Sequence, residues 1–269
     1  MKILLATDGS KYSEWAARFL ARLQLSSSDR ITIFHAIDWI PFQYDEDFYF
    51  GTLKELKNKI APNVLNPALQ ILSSTQAIKS VAFDDGPPEQ CIIDAADNLD
   101  TDLIVIGAKG AEPFIFGSVM KSITANSKKP VLVVKRPADL KSGSMKIIYA
   151  TDGSEHSLAT ADLLSLIPFA DDAEVMVLNI IGTNGSGTEF DRIAQEAVNR
   201  LRNRFKSIHV QLKSGTPSSQ ILKSAEETEA DLIAVGCRGL RGIKKLLGSV
   251  SSQVLANSKC SVLIGKTCG

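Results

Sequence analysis

Short apolar runs recur along the whole chain, and segments with helical spacing separate them. Runs such as LIAV and VLVV are apolar on both faces, which is typical of parallel strands covered by helices on both sides. The alternation predicts an α/β fold. The predicted strands are Lys2–Thr7, Ile31–Ala36, Ala77–Phe83, Asp102–Gly107, Pro130–Lys135, Lys146–Ala150, Glu174–Ile180, Ser207–Lys213, Asp231–Gly236 and Ser261–Gly265.

The second half of the chain repeats the first. KILLATDGS at Lys2–Ser10 recurs as KIIYATDGS at Lys146–Ser154, and DLIVIGAKG recurs as DLIAVGCRG. We therefore predict two tandem, doubly wound, Rossmann-like domains with five parallel strands each, at residues 1–140 and 145–269. The polar stretch Arg136–Ser144, which contains proline and glycine, is the predicted linker.

Proline and glycine also predict local features between the strands. Asp84–Pro87 is predicted to be a turn that leads into a helix at Pro88. Thr216 is predicted to cap the corresponding helix in the second half. A helix from Thr52 to Ser73 is expected to be interrupted or kinked at Pro62 and Pro67.

Glycines follow the fourth strand of each copy and precede an apolar helix. They are Gly107, Gly110 and Gly117-Ser118 in the first half, and Gly236, Gly239 and Gly248-Ser249 in the second. Glycine lets backbone N–H groups approach a ligand, and a helix N-terminus adds a partial positive charge, so this pattern predicts a phosphate cradle. If strands one and four are neighbours, an aspartate after strand one flanks the same crevice.

Composition narrows the class of protein. The 269 residues carry 30 basic and 30 acidic side chains, which argues against general affinity for nucleic acid or anionic membranes. The four cysteines form no C-x-x-C pair, and no apolar run approaches the roughly 20 residues of a spanning helix, so we expect a reduced, cytoplasmic protein. P-loop, G-x-G-x-x-G and G-x-S-x-G motifs are missing at the required places.

The ordered set of motifs resembles the universal stress protein family in its tandem two-domain form. The set comprises the aspartates after strand one, the glycine loops, the turns GPP and GTP, and the last strands PVLVV and SVLI. The resemblance implies an adenine-nucleotide binding module, with ATP and Mg²⁺ as ligands and a stress-response or regulatory role. It also implies an intramolecular pseudo-dimer through the last strands, which could pair further as a homodimer, and it implies no catalytic residues.

By resemblance, nucleotide contacts fall at one set of positions in each half. Those of the second half are Asp152, Ile180, Val235, Gly236, Gly239, Gly248, Ser249, Val250 and Ser251. Those of the first half are Asp8, Ala36, Gly107, Gly110, Gly117 and Ser118, with Lys121 one residue beyond the equivalent of Ser251.

The two loops depart from the family spacing G-x2-G-x9-G-S/T to different extents. The second-half spacer, 240–247, is one residue short and carries Arg241, Lys244 and Lys245. The first-half spacer, 111–116, is three residues short and offers little to an anion. We therefore predict an ATP site in the second half and a degenerate site in the first.

Simpler interpretations exist for most of these residues. The glycines could be plain strand exits, Asp152 could cap the following helix, and the basic cluster could be a solvated helix face. The three histidines are interpreted as structural, and the aromatic insert Trp39–Phe50 as a lid or a partner surface. An interaction protein that binds no nucleotide, and a slow ATPase, remain alternative functions.

Overall fold

A computed structural model describes residues 1–37, 62–108, 118–135, 143–181, 187–238 and 247–267. Its strands are β1 Lys2–Ala6, β2 Arg30–Ile37, β3 Ile78–Asp85, β4 Leu103–Gly107, β5 Val131–Val134, β6 Lys146–Ala150, β7 Glu174–Ile181, β8 Ser207–Ser214, β9 Leu232–Gly236 and β10 Ser261–Gly265. Its helices are α1 Lys11–Ala21, α2 62–71, α3 Pro88–Asn98, α4 Ser118–Asn126, α5 Glu155–Leu166, α6 Gly187–Leu201, α7 Pro217–Glu227 and α8 Ser249–Asn257.

The strands form a single ten-stranded sheet in the order β3-β2-β1-β4-β5-β10-β9-β6-β7-β8. All pairings within each group of five are parallel, which confirms the predicted α/β fold. In each half the first and fourth strands are neighbours, so the loops that leave them share one edge of the sheet. Three segments lie outside the described residues: 136–142 of the predicted linker, the insert Trp39–Phe50 and the loop 182–186.

Three local predictions differ from the structure. β3 continues through Asp85, where a turn was expected from Asp84, because the ladder with β2 extends to the pair Ile37–Asp85. Thr216 occupies the N-cap position of α7, but its side chain makes no capping hydrogen bond. Residues 62–71 form a continuous helix through Pro67, so the predicted interruption at Pro67 is wrong, and a kink there stays a prediction.

Helices cover both faces of the sheet and enclose two apolar layers. One layer packs beneath α1, α2, α5 and α6, and the other packs beneath α3, α4, α7 and α8. Alternate residues of β1 divide between the layers, with Ile3 and Leu5 in the first and Leu4 in the second. Each layer contains residues from both halves of the chain, so the hydrophobic core crosses the junction between them.

The two halves meet where their last strands pair. β5 and β10 run antiparallel, with Val133 opposite Val262 and Leu132 opposite Leu263, and all four side chains are buried. A lysine follows each strand, and it is almost completely buried: Lys135 is 2% exposed and Lys266 is 9% exposed. Burial in this apolar junction lowers the pKa of each lysine from 10.5 to about 8.

The lowered pKa of Lys135 predicts a pH-dependent contribution to stability. Between pH 8 and 10.5 the unfolded chain binds the lysine proton and the folded chain does not, so unfolding becomes less favourable as pH rises. The free energy of unfolding of the wild type, minus that of Lys135→Met, should rise by up to about 1.4 kcal/mol per pH unit. Urea titrations at pH 8, 9 and 10 measure this difference. A flat or falling difference would contradict the prediction.

Candidate functional site

A tight turn follows β6 at the carboxyl edge of the sheet. Gly153 has a φ of 74°, and its N–H donates to Thr151 Oγ1 at 3.1 Å. The Ser154 N–H donates to Asp152 Oδ1 at 3.0 Å, and Ser154 Oγ in turn accepts from Ser157 N at 3.3 Å. Ser154 is therefore the N-cap of α5, and the interpretation of Asp152 as that cap is wrong. The Asp152 side chain closes the turn at an exposed position.

The glycine that ends β9 is required by packing. A Cβ added to Gly236 would lie 2.8 Å from the carbonyl carbon of His156 and 2.8 Å from the Ser157 nitrogen. Only glycine admits the first turn of α5 this close to the strand. Close packing against α5 therefore explains the glycine at position 236 without any ligand, as the simpler interpretation of a strand exit expects.

Three hydrogen bonds bring the loop after β9, the start of α8 and the turn after β6 together. The Gly248 N–H donates to Cys237 O at 2.7 Å, and Ser251 Oγ donates to Gly236 O at 2.6 Å. Ser154 Oγ donates to Arg238 O at 3.4 Å. The N-terminus of α8 therefore lies against the end of β9, beside the turn that carries Asp152. Gly239 and the basic cluster at 241–245 lie outside the described residues.

The remaining second-half positions differ in how they face this edge. Gly248 is the N-cap of α8 and makes no side-chain capping bond, and Ser249 and Val250 form the first turn. Val235 is 3% exposed within β9, so its side chain belongs to the core. Ile180 is partly exposed, and the register of β6 with β7, which pairs Ala150 with Leu178, places it alongside Asp152.

A cluster around His156 was not identified from the sequence. His156 Nδ1 lies 3.4 Å from Cys237 Sγ, 3.4 Å from Thr267 N and 3.3 Å from Thr267 Oγ1. Burial, reinforced by the positive charge of Arg238, holds the pKa of His156 below its usual value. Since the Thr267 N–H can only donate, Nδ1 is the acceptor, and the imidazole ties the end of β10 to the loop after β9.

The first half builds the same turn after β1. Gly9 has a φ of 75°, its N–H donates to Thr7 Oγ1 at 3.2 Å, and the Ser10 N–H donates to Asp8 Oδ1 at 3.0 Å. Burial alone would raise the pKa of Asp8, but hydrogen bonds from Ser10 and Ser13 outweigh it and hold that pKa below its usual value. His35 Nδ1 lies 2.8 Å from Thr7 O. The equivalent contact in the second half is made by Asn179, whose Nδ2 lies 2.7 Å from Thr151 O.

The other first-half positions are only partly placed. Ala36 lies near the end of β2 and Gly107 ends β4, while Ser118 and Lys121 belong to the first turn of α4. Gly110 and Gly117 lie outside the described residues. Among the described residues, no three His, Cys, Asp or Glu side chains cluster as metal ligands would. No described helix is long and apolar enough to cross a membrane.

Comparisons with known proteins all indicate one family. The model of the universal stress protein family matches residues 1–135 and again residues 143–266. Universal stress protein MJ0531 of Methanocaldococcus jannaschii is 32% identical over 138 residues, which cover 45% of this chain and 81% of that protein.

Two solved structures are also similar. The crystal structure of a universal stress protein from Archaeoglobus fulgidus is 25% identical, with a TM-score of 0.77 over 100% of this chain and 98% of that one. A universal stress protein solved in complex with cAMP is 31% identical over 46% of this chain and 98% of that one, with a TM-score of 0.41. With two family matches that together span nearly its whole length, the chain belongs to the universal stress protein family, as a tandem of two such regions.

Proposed function

We propose that the chain binds an adenine nucleotide, ATP with Mg²⁺, at the carboxyl edge of β6 and β9 and serves a regulatory role in the stress response. One observation carries this proposal: the uncapped N-terminus of α8 lies beside the Asp152 turn, and the Ser154–Arg238 hydrogen bond at 3.4 Å joins the two loops. A helix N-terminus favours phosphate, and a nearby carboxylate suits ribose hydroxyls or adenine nitrogen donors.

Strand order supports the same position. From β6 the chain continues through α5 to β7 on one side, and from β9 it continues through α8 to β10 on the other. α5 packs on one face of the sheet and α8 on the opposite face. The crevice between such diverging connections is where open α/β sheets bind their ligands.

The residues present fit an anionic ligand. Gly248 and Ser249 start α8 without a side-chain cap, and the backbone of Arg238 lies next to Gly248, with its Cα 3.4 Å from the Cβ position of that glycine. Ser249, Val250 and Ser251 would hold phosphate oxygens through backbone N–H groups, while Asp152 and the backbone of Ile180 would hold the nucleoside. Mg²⁺ is usually held by phosphates with one or two carboxylates, so it would arrive with the nucleotide.

The two regions would act as an intramolecular pseudo-dimer of domains at 1–140 and 145–269. The antiparallel pairing of β5 with β10, and a core shared across it, support this arrangement. An exposed strand edge invites association, so mutual pairing of the last strands also protects both domains.

Calorimetric titration with ATP tests the proposal, and matched glycine variants test which half binds. Gly239→Val should weaken ATP binding by about tenfold or more, since a branched side chain would block the approach of backbone N–H groups to phosphate. Gly110→Val, the same change in the first-half loop, should have a smaller effect. Equal losses in the two variants would contradict the asymmetry between the halves.

Further titrations and an assay separate the alternative functions. Failure of the wild type to bind ATP, ADP, AMP or cAMP would favour an interaction protein. Phosphate release from bound ATP at about 1 per second or faster, which is the range of ordinary kinases, would make the protein an enzyme. We expect binding with negligible turnover, because no described side chain is an evident base for a water that attacks the terminal phosphate.

A further inference from the structure

The junction between the halves contains a reciprocal pair of buried lysines. Lys135 Nζ, at the end of β5, donates hydrogen bonds to Leu255 O and to Ser258 O, the latter at 3.0 Å. Lys266 Nζ, at the end of β10, donates to Ser127 O. Each lysine therefore reaches out of its own half and binds the helix end of the other half. Lysine is almost never this buried unless it is paired.

The carbonyl groups that receive these bonds lie at helix C-termini. Leu255 is in the last turn of α8, and Ser258 is its C-cap. Ser127 directly follows α4. The last carbonyls of a helix lack intrahelical partners and carry partial negative charge, so an ammonium group both satisfies and neutralises them.

Lys135 thus binds the same helix that starts at the proposed phosphate cradle. α8 has only nine residues, a length of about 13 Å, so displacement at one end moves the other. Its N-terminus is tied to β9 by the Gly248–Cys237 and Ser251–Gly236 hydrogen bonds. Its C-terminus is tied to the first half by Lys135.

We infer that Lys135 of the first half is a positioning residue for the nucleotide site of the second half, acting through α8; the inference rests on the proposed function. The first half, whose own glycine loop is shortened, then contributes to binding by fixing the helix whose N-terminal amides face the phosphates. Lys266 of the second half fixes α4 of the first half in the same way.

The first test needs no nucleotide. Hydrogen–deuterium exchange, resolved by peptide, is measured on Lys135→Met and Lys266→Met, which keep an unbranched side chain without its terminal ammonium donor. Lys135→Met should lower the protection of α8 by about tenfold and leave α4 unchanged, and Lys266→Met should do the reverse. Loss confined to the half that carries the mutation, or spread equally over both helices, overturns the inference.

The second test adds ATP. Lys135→Met should weaken ATP binding by about tenfold. Leu20→Ala, a core change in the first half on the opposite face of the sheet from α8, should lower stability but leave ATP affinity unchanged. If Lys135→Met lowers the protection of α8 but leaves ATP affinity unchanged, the positioning role is overturned. If the wild type binds no nucleotide, the proposed function fails, and the exchange result still decides whether Lys135 fixes α8.

Lys135→Gln covers the case in which the methionine variant does not fold. Glutamine keeps an N–H donor but has a shorter side chain, so it cannot reach both carbonyls that Lys135 reaches. Protection of α8 should again fall, by less than in the methionine variant, while α4 is unchanged. Full protection of α8 in this variant would contradict the inference.

Discussion

Val133→Lys should lower the free energy of unfolding by about 4 kcal/mol or more and should destabilise both halves together. Val133 is 0% exposed and pairs directly with Val262 across the junction of the two last strands. An ammonium group at this position would be buried without a partner, which costs several kcal/mol. Since the core layer beneath these valines contains residues of both halves, the cost falls on both.

Two probes follow the halves separately during denaturation. Both tryptophans, Trp15 and Trp39, belong to the first half, so selectively excited tryptophan fluorescence reports that half. Peptide-resolved hydrogen exchange reports the second half. Val210→Lys is the control, because Val210 is 44% exposed on the outermost strand and the same change there should cost less than about 0.5 kcal/mol. Unfolding of the first half alone in Val133→Lys would show that the halves are energetically independent.

Gly107→Ala should lower the free energy of unfolding by about 3 kcal/mol. A Cβ at Gly107 would lie 1.9 Å from the carbonyl oxygen of Tyr12 and 2.6 Å from the nitrogen of Ser13. These are backbone atoms of α1, so no rotamer change can relieve the overlap, and the helix must move away from the sheet. Urea denaturation monitored by circular dichroism measures the loss.

Gly143→Ala provides the matched control for this substitution. An added Cβ at Gly143 meets no atom within 4 Å, so its effect should stay within about 0.5 kcal/mol. Similar stabilities for Gly107→Ala and the wild type would mean that α1 tolerates displacement. The close packing of the first helix against the fourth strand would then not explain why glycine ends that strand.

The strands were predictable because a change from apolar to polar or glycine residues marks most of their ends. β6 and β10 have the predicted ends, since a polar residue opens each apolar run and a turn or glycine follows it. The predicted β3 ends two residues too early because this strand is the outermost strand of its half. Asp84 and Asp85 extend a solvated strand there and give no hydrophobic signal. Burial dictates the residue type in the inner strands, so their ends are visible in the sequence, whereas strands that face water carry a weaker hydrophobic signal.

The site was only partly predictable for a related reason. The glycine pattern and the aspartate after each first strand are visible in the sequence, and the structure brings the Asp152 turn and the start of α8 to one edge. Why Gly236 is glycine was not visible, because the cause is the backbone of His156, eighty residues earlier in the chain. The cluster of His156 with Cys237 and Thr267 depends on the same long-range approach.

By itself, the sequence determined the two-copy α/β organisation, since each copy repeats the same alternation of buried strands and helices and the same loop motifs. Only the tertiary structure decided how the copies combine: β5 and β10 join ten strands into one sheet, and two lysines become buried helix caps. From the sequence alone, a lysine at the end of a strand is expected to be a solvent-exposed charge. Its role here depends on carbonyl groups more than 100 residues away, and no local pattern encodes such a contact.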